Sequence, residues 1–476
     1  MSAVLFLITL VIAIAILVVL IMKVKLHPTF ALFLVGLGMA LVNGFPFMEA
    51  MGLLTKGFGN TLGSLGIPIM LGAILAMGVQ DTGAAKAIAN FFIRLFHGKN
   101  LELAPALTAY VVSIPVFGDI TTILCSNIAN VLSKRKHISM STMATFTQTG
   151  LNLTHAMVPP TPGILAVSVA LSADLGMVIT WGIVITVIAF FLTWLVLKKW
   201  CEKEWIEPVP AVVEGIEETK SNSVSDILIN EPDLPNTFAA FLTILIPVVL
   251  IAGGSFINMS IPESVAEDAM IRTVAAIMSD KVVALGAGVI YTMILATFHK
   301  KSVRASNLDS TGSDPKGFNE VVLNSWIARG LEVALAALLI TAMGGAFSEV
   351  IKACPAIGEL TELIDKLPIP AILIPFFCGA IMMTAVGSMT TAGLTAVGVV
   401  GPMMATLGLS PVAATLAIGA GTLCFNHVSN SGFWVVSRFF NLGTITQGLK
   451  YITIPDAVAG VFSMILLLIC NMIGII

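Results

Sequence analysis

Charged residues are scarce in this chain: aspartate, glutamate, lysine and arginine make up only 11% of its 476 residues. No cluster of basic residues resembles a nucleic-acid-binding surface. The six cysteines are scattered singly, without the C-x-x-C or Cys/His spacing of a redox or metal site. We therefore expect no nucleic-acid partner, no cofactor and no bound metal.

Apolar residues are present in excess: 57% of the chain is hydrophobic, and the mean hydropathy is +0.99. A helix needs about 20 consecutive apolar residues to cross a bilayer. Runs of that kind lie at 4–22, 238–257 and 457–476. The composition excludes a soluble protein and predicts an all-α polytopic membrane protein embedded in a lipid bilayer.

The distribution of lysine and arginine predicts the orientation of the chain, because these residues mark cytoplasmic loops. Their clusters lie at 23–25, 94–99, 134–136, 198–203 and 300–304. From them we predict crossings at about 3–22, 28–47, 62–80, 176–197, 237–257, 281–298, 321–345 and 453–475, with amphipathic segments at 82–97 and 347–365. This arrangement places the N-terminus and the C-terminus outside the cytoplasm.

Two polar breaks interrupt the apolar sequence of the first half. The break at 117–122 lies inside the segment 103–132, which has basic clusters on both sides and must turn back within the membrane. We predict a re-entrant helical hairpin there. The break at 154–163 interrupts the crossing 139–172, which predicts a broken transmembrane helix. Unpaired backbone groups are costly in lipid, so such breaks are expected to line a cavity.

The second half carries a matching pair of breaks. One, at 387–391, lies within a predicted hairpin at 370–403, and the other, at 426–434, lies within a predicted broken helix at 408–440. Similar residues also recur at an offset of about 264, as in the segments that begin at Gly72 and Ala336.

These matches divide the chain into two repeats of opposite orientation, 1–200 and 237–476. The polar, acidic segment 201–236 joins them as a cytoplasmic linker, which we expect to be exposed and mobile. Inverted repeats with paired broken helices are typical of secondary transporters, which bind their substrate near the bilayer midplane.

Seven ordered motifs resemble the gluconate:proton symporter (gluconate permease) family. Among them are Ile114-Pro-Val-Phe-Gly-Asp, Leu153-Thr-His-Ala-Met-Val-Pro-Pro-Thr-Pro-Gly and His427-Val-Ser-Asn-Ser-Gly-Phe-Trp; the others begin at Gly57, Asp81, Gly344 and Gly387. The family belongs to the ion transporter superfamily. The resemblance therefore implies hairpins and broken helices, elevator-type alternating access, a homodimer and the inner membrane. It also implies symport of gluconate, related sugar acids or D-serine with protons.

The chain departs from the family pattern at its breaks. Gly118 and Thr161 stand where the family has Phe and His, and Ser429-Asn430 replaces Asn-Asp. The second hairpin reads Gly-Ser-Met-Thr-Thr where Gly-Ser-Ala-Thr-Val is usual. One carboxylate and one imidazole of the expected site are replaced by neutral groups, which leaves the substrate and the coupling ion open.

Asp119, at the first hairpin break, is the predicted proton-coupling residue. An ionisable group at mid-membrane is costly and marks a functional site by default. Alternatively, the Asp119 side chain caps the half-helix that follows the break and has a structural role. His155 and His427 lie at the two longer breaks, where an imidazole either shares protons, bonds the substrate or ties the unwound backbone together.

Hydroxyl and amide side chains cluster at the breaks and suit a small hydroxylated acid. Half-helix N-termini bind anions. No arginine or lysine lies at any break, so a mono-anion is favoured over a di- or tricarboxylate. The predicted substrate-binding residues are Thr121, Thr122, His155, Thr161, Ser388, Thr390, Thr391, Asn426, His427, Ser429, Asn430 and Ser431.

The sequence thus predicts a secondary active transporter that carries gluconate or a related sugar acid together with protons. Sodium-coupled uptake of a small carboxylate or D-serine is the alternative, because the oxygens of the second break suit sodium. An intramembrane enzyme or a channel has little support, since the sequence shows no catalytic set and no continuous polar stripe. Away from the breaks, Arg329 and Glu332 have the i,i+3 spacing of a helical ion pair.

Overall fold

A computed structural model describes residues 8–9, 12–13, 15–17, 19–20, 23–24, 26–97, 99–115, 118–213, 228, 233–262, 269–312, 317–354, 369–428 and 430–476. Within these ranges all regular secondary structure is helical, which confirms the predicted all-α fold. The helices that are long and apolar enough to cross a membrane are Phe47–Asp81, Leu175–Cys201, Thr237–Ser260, Lys281–Phe298 and Ile445–Met472.

Two long helices, Phe47–Asp81 and Trp326–Ala353, pack along one another and are called here the long helix pair. They approach closely at Gly57, where an added Cβ atom would lie 2.6 Å from the carbonyl oxygen of Gly345. The sequence predicts a crossing only from residue 62. The helix begins at Phe47 instead, and Gly57 contacts the partner helix within it and does not form a loop.

The first hairpin consists of Leu103–Val112 and Gly118–Lys136, and the second consists of Leu373–Val386 and Met389–Val400. In each hairpin the two helices contact one another. Gly387 makes the turn of the second hairpin with φ +68°, a left-handed conformation that glycine adopts without steric cost.

The first broken helix consists of Met140–Met157 and Pro162–Ala170, and the second consists of Pro411–Leu423 and Ser431–Phe439. Their interruptions, at 158–161 and 424–430, fall within or begin just before the predicted polar breaks. The helices therefore end and restart close to where the sequence predicts.

Each hairpin packs on the broken helix of its own half through a glycine. A Cβ atom at Gly150 would lie 2.5 Å from the carbonyl oxygen of Ala106, and one at Gly421 would lie 2.1 Å from that of Phe376. Each contact joins the first helix of a hairpin to the first segment of a broken helix. The division of the chain into inverted repeats stays a prediction.

The structure contains further helices and turns. They are the helices Pro28–Val42, Ala84–Leu95, Pro210–Val213, Met270–Ser279, Lys300–Thr311, Phe318–Glu320, Met404–Leu407, Ile445–Gly448 and Ile454–Met472, the π-helical turns Val321–Ser325 and Leu449–Thr453, and the 3-10 turn Gly401–Met403. The predicted amphipathic segment 82–97 forms Ala84–Leu95, which buries a face of alanines. The segment 347–365 continues the long helix pair to Ala353, and its residues 355–365 lie outside the described ranges.

The beginning of the predicted linker is held against the membrane helices and does not extend freely. Ser141 Oγ donates to the carbonyl oxygens of Cys201 at 2.8 Å and Glu204 at 2.7 Å. The backbone N–H of Val209 donates to Asn130 Oδ1 at 2.7 Å. These bonds fix residues 201–209 on the first hairpin and the first broken helix, so the expectation of a mobile segment is wrong there.

Arg329 pairs with Asp81 across the long helix pair, so the predicted pair with Glu332 is wrong. Asp81 is fully buried, and it also accepts hydrogen bonds from Trp326 Nε1 at 2.8 Å and Ser306 Oγ at 2.9 Å. The i,i+3 rule considers only neighbours on one helix, whereas the partner helix supplies a buried acid that needs a cation.

Candidate functional site

The tip of the second hairpin meets the break of the first broken helix. A Cβ atom at Gly163 would lie 2.9 Å from Thr390 Oγ1 and 3.2 Å from Thr390 Cα. The second broken helix joins them, since a Cβ atom at Gly419 would lie 2.4 Å from the carbonyl oxygen of Ala156. Elements from both halves of the chain therefore converge at one place.

A small cavity of about 10 Å³ lies at this convergence. Its lining includes His155, Gly163, Met389, Gly393 and Thr422. A cavity of about 10–15 Å³ holds a single water. In this conformation the site is closed around a space too small for an organic acid.

Backbone donors point to an anion site at the first break. Thr161 precedes the helix Pro162–Ala170 but forms no side-chain cap. Its Oγ1 instead donates backwards to the carbonyl oxygens of His155 at 3.2 Å and Val158 at 3.0 Å. The helix therefore begins without a side-chain cap, and its residues Gly163 and Ile164 line the small cavity. Uncapped N–H groups in the first turn of a helix favour negative charge.

Two predicted site residues of the first half hold buried polar atoms without a hydrogen-bond partner in the described part of the chain. These atoms are His155 Nδ1 and Thr121 Oγ1. Thr122, next to the latter, is also buried. Buried polar groups are nearly always bonded to protein or water, so these two atoms are available to a ligand.

A chain of amide side chains orders the second break. Asn430 Nδ2 donates to Asn426 Oδ1 at 2.7 Å, and Asn430 Oδ1 accepts from the N–H of Gly432 at 2.9 Å. Asn426 Nδ2 donates in turn to Asp456 Oδ2 at 2.9 Å. Asn152, from the first broken helix, donates to the same oxygen at 2.7 Å. Asp456 therefore joins the two broken helices.

The other predicted site residues of the second half lie nearby. Ser388 Oγ accepts from the N–H of Thr391 at 3.5 Å and from its hydroxyl at 3.3 Å, which caps the second helix of the hairpin. His427 bonds the backbone of Thr384, on the first helix of the same hairpin. The side chains of Asp119 and Ser431, and all of Ser429, lie outside what the structure describes.

Asp456 is the residue that sequence reasoning missed. It lies in the first turn of the helix Ile454–Met472, where it is fully buried. The signal was present, because an acid inside an apolar membrane helix is a functional candidate by default. Its position near the start of that helix made it resemble an ordinary acid at a membrane boundary.

A second, polar cavity of about 220 Å³ lies between the long helix pair and the converging elements. Its polar lining is Asn60, Thr61, Ser64, Ser348 and Glu349. Its other wall comes from Pro162–Ala170 and Met389–Val400, the helices that carry the closed site. At about 30 Å³ per water, this polar cavity has room for about seven waters.

The residues that the structure describes contain no group of three or more His, Cys, Asp or Glu able to hold a metal ion.

Comparison with known proteins decides the family. The model of the GntP family permeases matches residues 5–473. The chain belongs to the GntP permease family.

Named GntP relatives and a solved structure agree with this assignment. The chain is 27% identical to the high-affinity gluconate transporter of Escherichia coli K12, over 97% of this chain and 98% of that protein. It is 30% identical to the inner membrane permease YgbN of the same organism, over 93% of each chain. The fold resembles the crystal structure of the YdaH transporter of Alcanivorax borkumensis, with a TM-score of 0.62 and 14% identity, over 94% of this chain and 99% of that chain.

The GntP permease described here is consequently a membrane transporter and not an enzyme. Its apolar helices embed it in a bilayer. The predicted family and the predicted all-helical membrane architecture are both confirmed.

Proposed function

We propose that this permease is a proton-coupled symporter of gluconate or a related sugar acid in the bacterial inner membrane. The contact of Thr390 with Gly163 carries the proposal, because it brings a hairpin tip onto a helix break whose N–H groups lack a side-chain cap. The name of the Escherichia coli relative, a high-affinity gluconate transporter, supports the substrate class. Another relative, YgbN of Escherichia coli, is named an inner membrane permease, which supports the location.

The carboxylate of the substrate binds at the first break. The N–H groups of Gly163 and Ile164 receive the negative charge. His155 Nδ1, together with Thr121 Oγ1 on the first hairpin, supplies polar contacts, since neither atom has a partner among the described residues. Among the described residues, no lysine or arginine lines the small cavity. A single negative charge therefore suits the site better than two or three.

The hydroxyl groups of the substrate contact the remaining polar side chains of the breaks. On this proposal these are Thr122, Thr161, Ser388, Thr390, Thr391, Asn426, His427, Ser429, Asn430 and Ser431. The tip at Thr390 moves away from Gly163 to admit the substrate, because the closed cavity holds about one water.

Alternating access then follows an elevator-type movement. The long helix pair stays fixed, and the hairpins and broken helices move past it with the bound substrate. The polar cavity beside Ser348 and Glu349 supports this division, since water in it lets the two bodies slide without exposing unpaired polar groups to lipid. The permease works as a homodimer with both termini on the outer side.

Protons drive the uptake in this scheme. Asp119, in the first turn of Gly118–Lys136, takes up a proton on the outer side, favours entry of the anion by removing a negative charge, and releases the proton in the cytoplasm. Sodium takes no part.

Exchange of labelled gluconate in proteoliposomes tests the substrate class. We expect unlabelled sugar acids to compete and di- or tricarboxylates to compete poorly. Thr390→Ala is expected to lower the exchange rate at least tenfold, whereas Thr297→Ala, at an exposed hydroxyl bonded to its own helix, leaves it unchanged. Exchange of D-serine without exchange of any sugar acid would overturn the proposal.

A further inference from the structure

Asp456 is a fully buried acid in a membrane helix, at 0% exposure. Burying an isolated charge costs far more than burying a neutral group unless a cation or several donors compensate it. In the described part of the chain no lysine, arginine or histidine forms an ion pair with this carboxyl. Its partners are two neutral amides.

The two oxygens of Asp456 have different surroundings. Oδ2 accepts from Asn152 Nδ2 at 2.7 Å and from Asn426 Nδ2 at 2.9 Å. Oδ1 is buried and has no hydrogen-bond partner among the described residues. A carboxylic acid has one accepting carbonyl oxygen and one oxygen that carries the proton. The arrangement fits an acid whose carbonyl is Oδ2 and whose proton binds at Oδ1.

In the part of the chain that the structure describes, no titratable group on a neighbouring element forms an ion pair with Asp456. The titratable groups on the elements packed against Ile454–Met472 are His155, Lys198, Lys199, Cys201, Cys424, Lys450 and Tyr451. Lys198 is bound to Glu102, whereas Lys450 and Tyr451 are bound to Glu204. Cys424 faces the helix, with Sγ 4.0 Å from the carbonyl oxygen of Ala457.

The carboxyl is connected to both breaks through hydrogen bonds. Asn152 lies on the first broken helix, one turn before His155. Asn426 passes the connection to Asn430, which caps the helix Ser431–Phe439 through Gly432. Thr453 Oγ1 adds a bond to the Asn426 carbonyl at 2.5 Å. A change of charge at Asp456 therefore acts on the geometry of both predicted substrate-binding segments.

We propose that Asp456 is a proton-binding site of the transport cycle, in addition to Asp119. An O–H bond forms at Oδ1 with a proton from the outer side, and the neutral acid accompanies the loaded, closed site. The O–H bond breaks when the site opens to the cytoplasm, and the proton leaves there. The coupling part of this inference rests on the proposed symport, whereas the binding of a proton at Oδ1 does not.

Asp456→Asn tests the coupling, because asparagine is neutral and its oxygen keeps both amide bonds. We expect the variant to exchange gluconate at nearly the wild-type rate but to lose at least tenfold in accumulation driven by a pH gradient. Asp280→Asn is the matched control, since Asp280 is an exposed helix cap and asparagine caps equally well. Accumulation by Asp456→Asn at the wild-type level would overturn the proposal.

Infrared difference spectroscopy of the substrate-free protein tests the proton site without transport. We expect a protonated-carboxyl C=O band that titrates with pH in the wild type and in Asp280→Asn but is missing in Asp456→Asn. If Asp456→Asn does not fold, Asn152→Ala serves instead: loss of one N–H bond to Oδ2 is expected to raise the frequency of the same band. A band unchanged in the folded variant overturns the proposal. Failure of the wild type to accumulate gluconate would contradict only the proposed symport.

Discussion

Thr390, at the tip of the second hairpin, lies directly against Gly163, the second residue of the helix after the first break, although the two belong to opposite halves of the chain. Only a residue without a side chain leaves room for the threonine at this point. Gly163 and Met389, the residue before Thr390, both line the small cavity. On the proposed function, a substrate separates the two halves at this contact.

Replacement of Gly163 by alanine is expected to hold the tip away from the break. The new Cβ atom would lie 2.9 Å from Thr390 Oγ1, and overpacking of this kind costs about 1–3 kcal/mol. We expect gluconate exchange to fall at least tenfold while gel filtration shows a folded protein. Gly286→Ala, with no atom within 4 Å, is the control.

A double variant distinguishes a direct contact between Gly163 and Thr390 from general damage to the protein. Thr390→Ala removes the hydroxyl that Gly163→Ala would meet, so the double variant is expected to exchange no more slowly than Thr390→Ala alone. If the losses in exchange rate of the two single variants simply multiply in the double variant, the two residues act independently. The contact between Thr390 and Gly163 would then not hold the site closed.

The positions of the breaks are predictable from the sequence because the cause is local. Proline lacks an N–H donor, glycine tolerates left-handed backbone, and polar residues are costly in an apolar helix. The structure accordingly interrupts its helices at Pro159-Pro160 and at Gly387. The same logic places the breaks in the second part of each half.

Contacts between distant segments are not predictable in this way. Asn152 and Asp456 lie on two helices and Asn426 lies in the interruption of a third, and nothing in their local sequence states that one oxygen receives both amides. Arg329 likewise has a plausible partner on its own helix, yet it pairs with Asp81 because that acid is buried. Spacing rules work within a helix, whereas burial is decided by tertiary packing.

The long helix pair depends on its glycine contact. Gly57→Ala would place a Cβ atom 2.6 Å from the Gly345 carbonyl oxygen and 2.8 Å from Ala346 Cα, which are backbone atoms that cannot rotate away. We expect a lower thermal unfolding midpoint in detergent. Gly59→Ala, on the same helix with no atom within 4 Å, is expected to leave the midpoint unchanged or to raise it, since alanine favours helix by about 1 kcal/mol. Equal effects of the two changes would contradict the close approach.

The buried pair of Asp81 and Arg329 is expected to respond asymmetrically to mutation. Arg329→Leu leaves a fully buried carboxylate without its cation, and removal of one partner of a buried pair costs about 3–5 kcal/mol. Removing both charges with Asp81→Leu and Arg329→Leu is expected to recover most of that loss. Thermal unfolding of the single and double variants measures it, and a double variant as unstable as the single one would refute this explanation.

Glu204 is expected to make stability depend on pH at the acid end. Hydrogen bonds from Gln447 Nε2 at 2.9 Å and Tyr451 Oη at 2.7 Å, together with Lys450, lower the pKa of Glu204 below its ordinary value of 4.5. Because the folded pKa is the lower one, the stabilisation is complete above pH 4.5 and is lost as the pH falls through the folded value.

Thermal unfolding of Glu204→Gln measures this contribution. The wild type is expected to be the more stable of the two at neutral pH, and the difference is expected to shrink as the pH falls below 4.5. A difference that stays constant down to the acid limit would show that the ionised carboxylate is not the stabilising form.

The most direct test of proton-coupled symport is accumulation of labelled gluconate in proteoliposomes of the wild-type permease, with an imposed pH gradient and no sodium. The account predicts uptake above the external concentration when the outside is acidic, abolished by a proton ionophore and unaffected when sodium is added. Accumulation that requires a sodium gradient and ignores the pH gradient would contradict it.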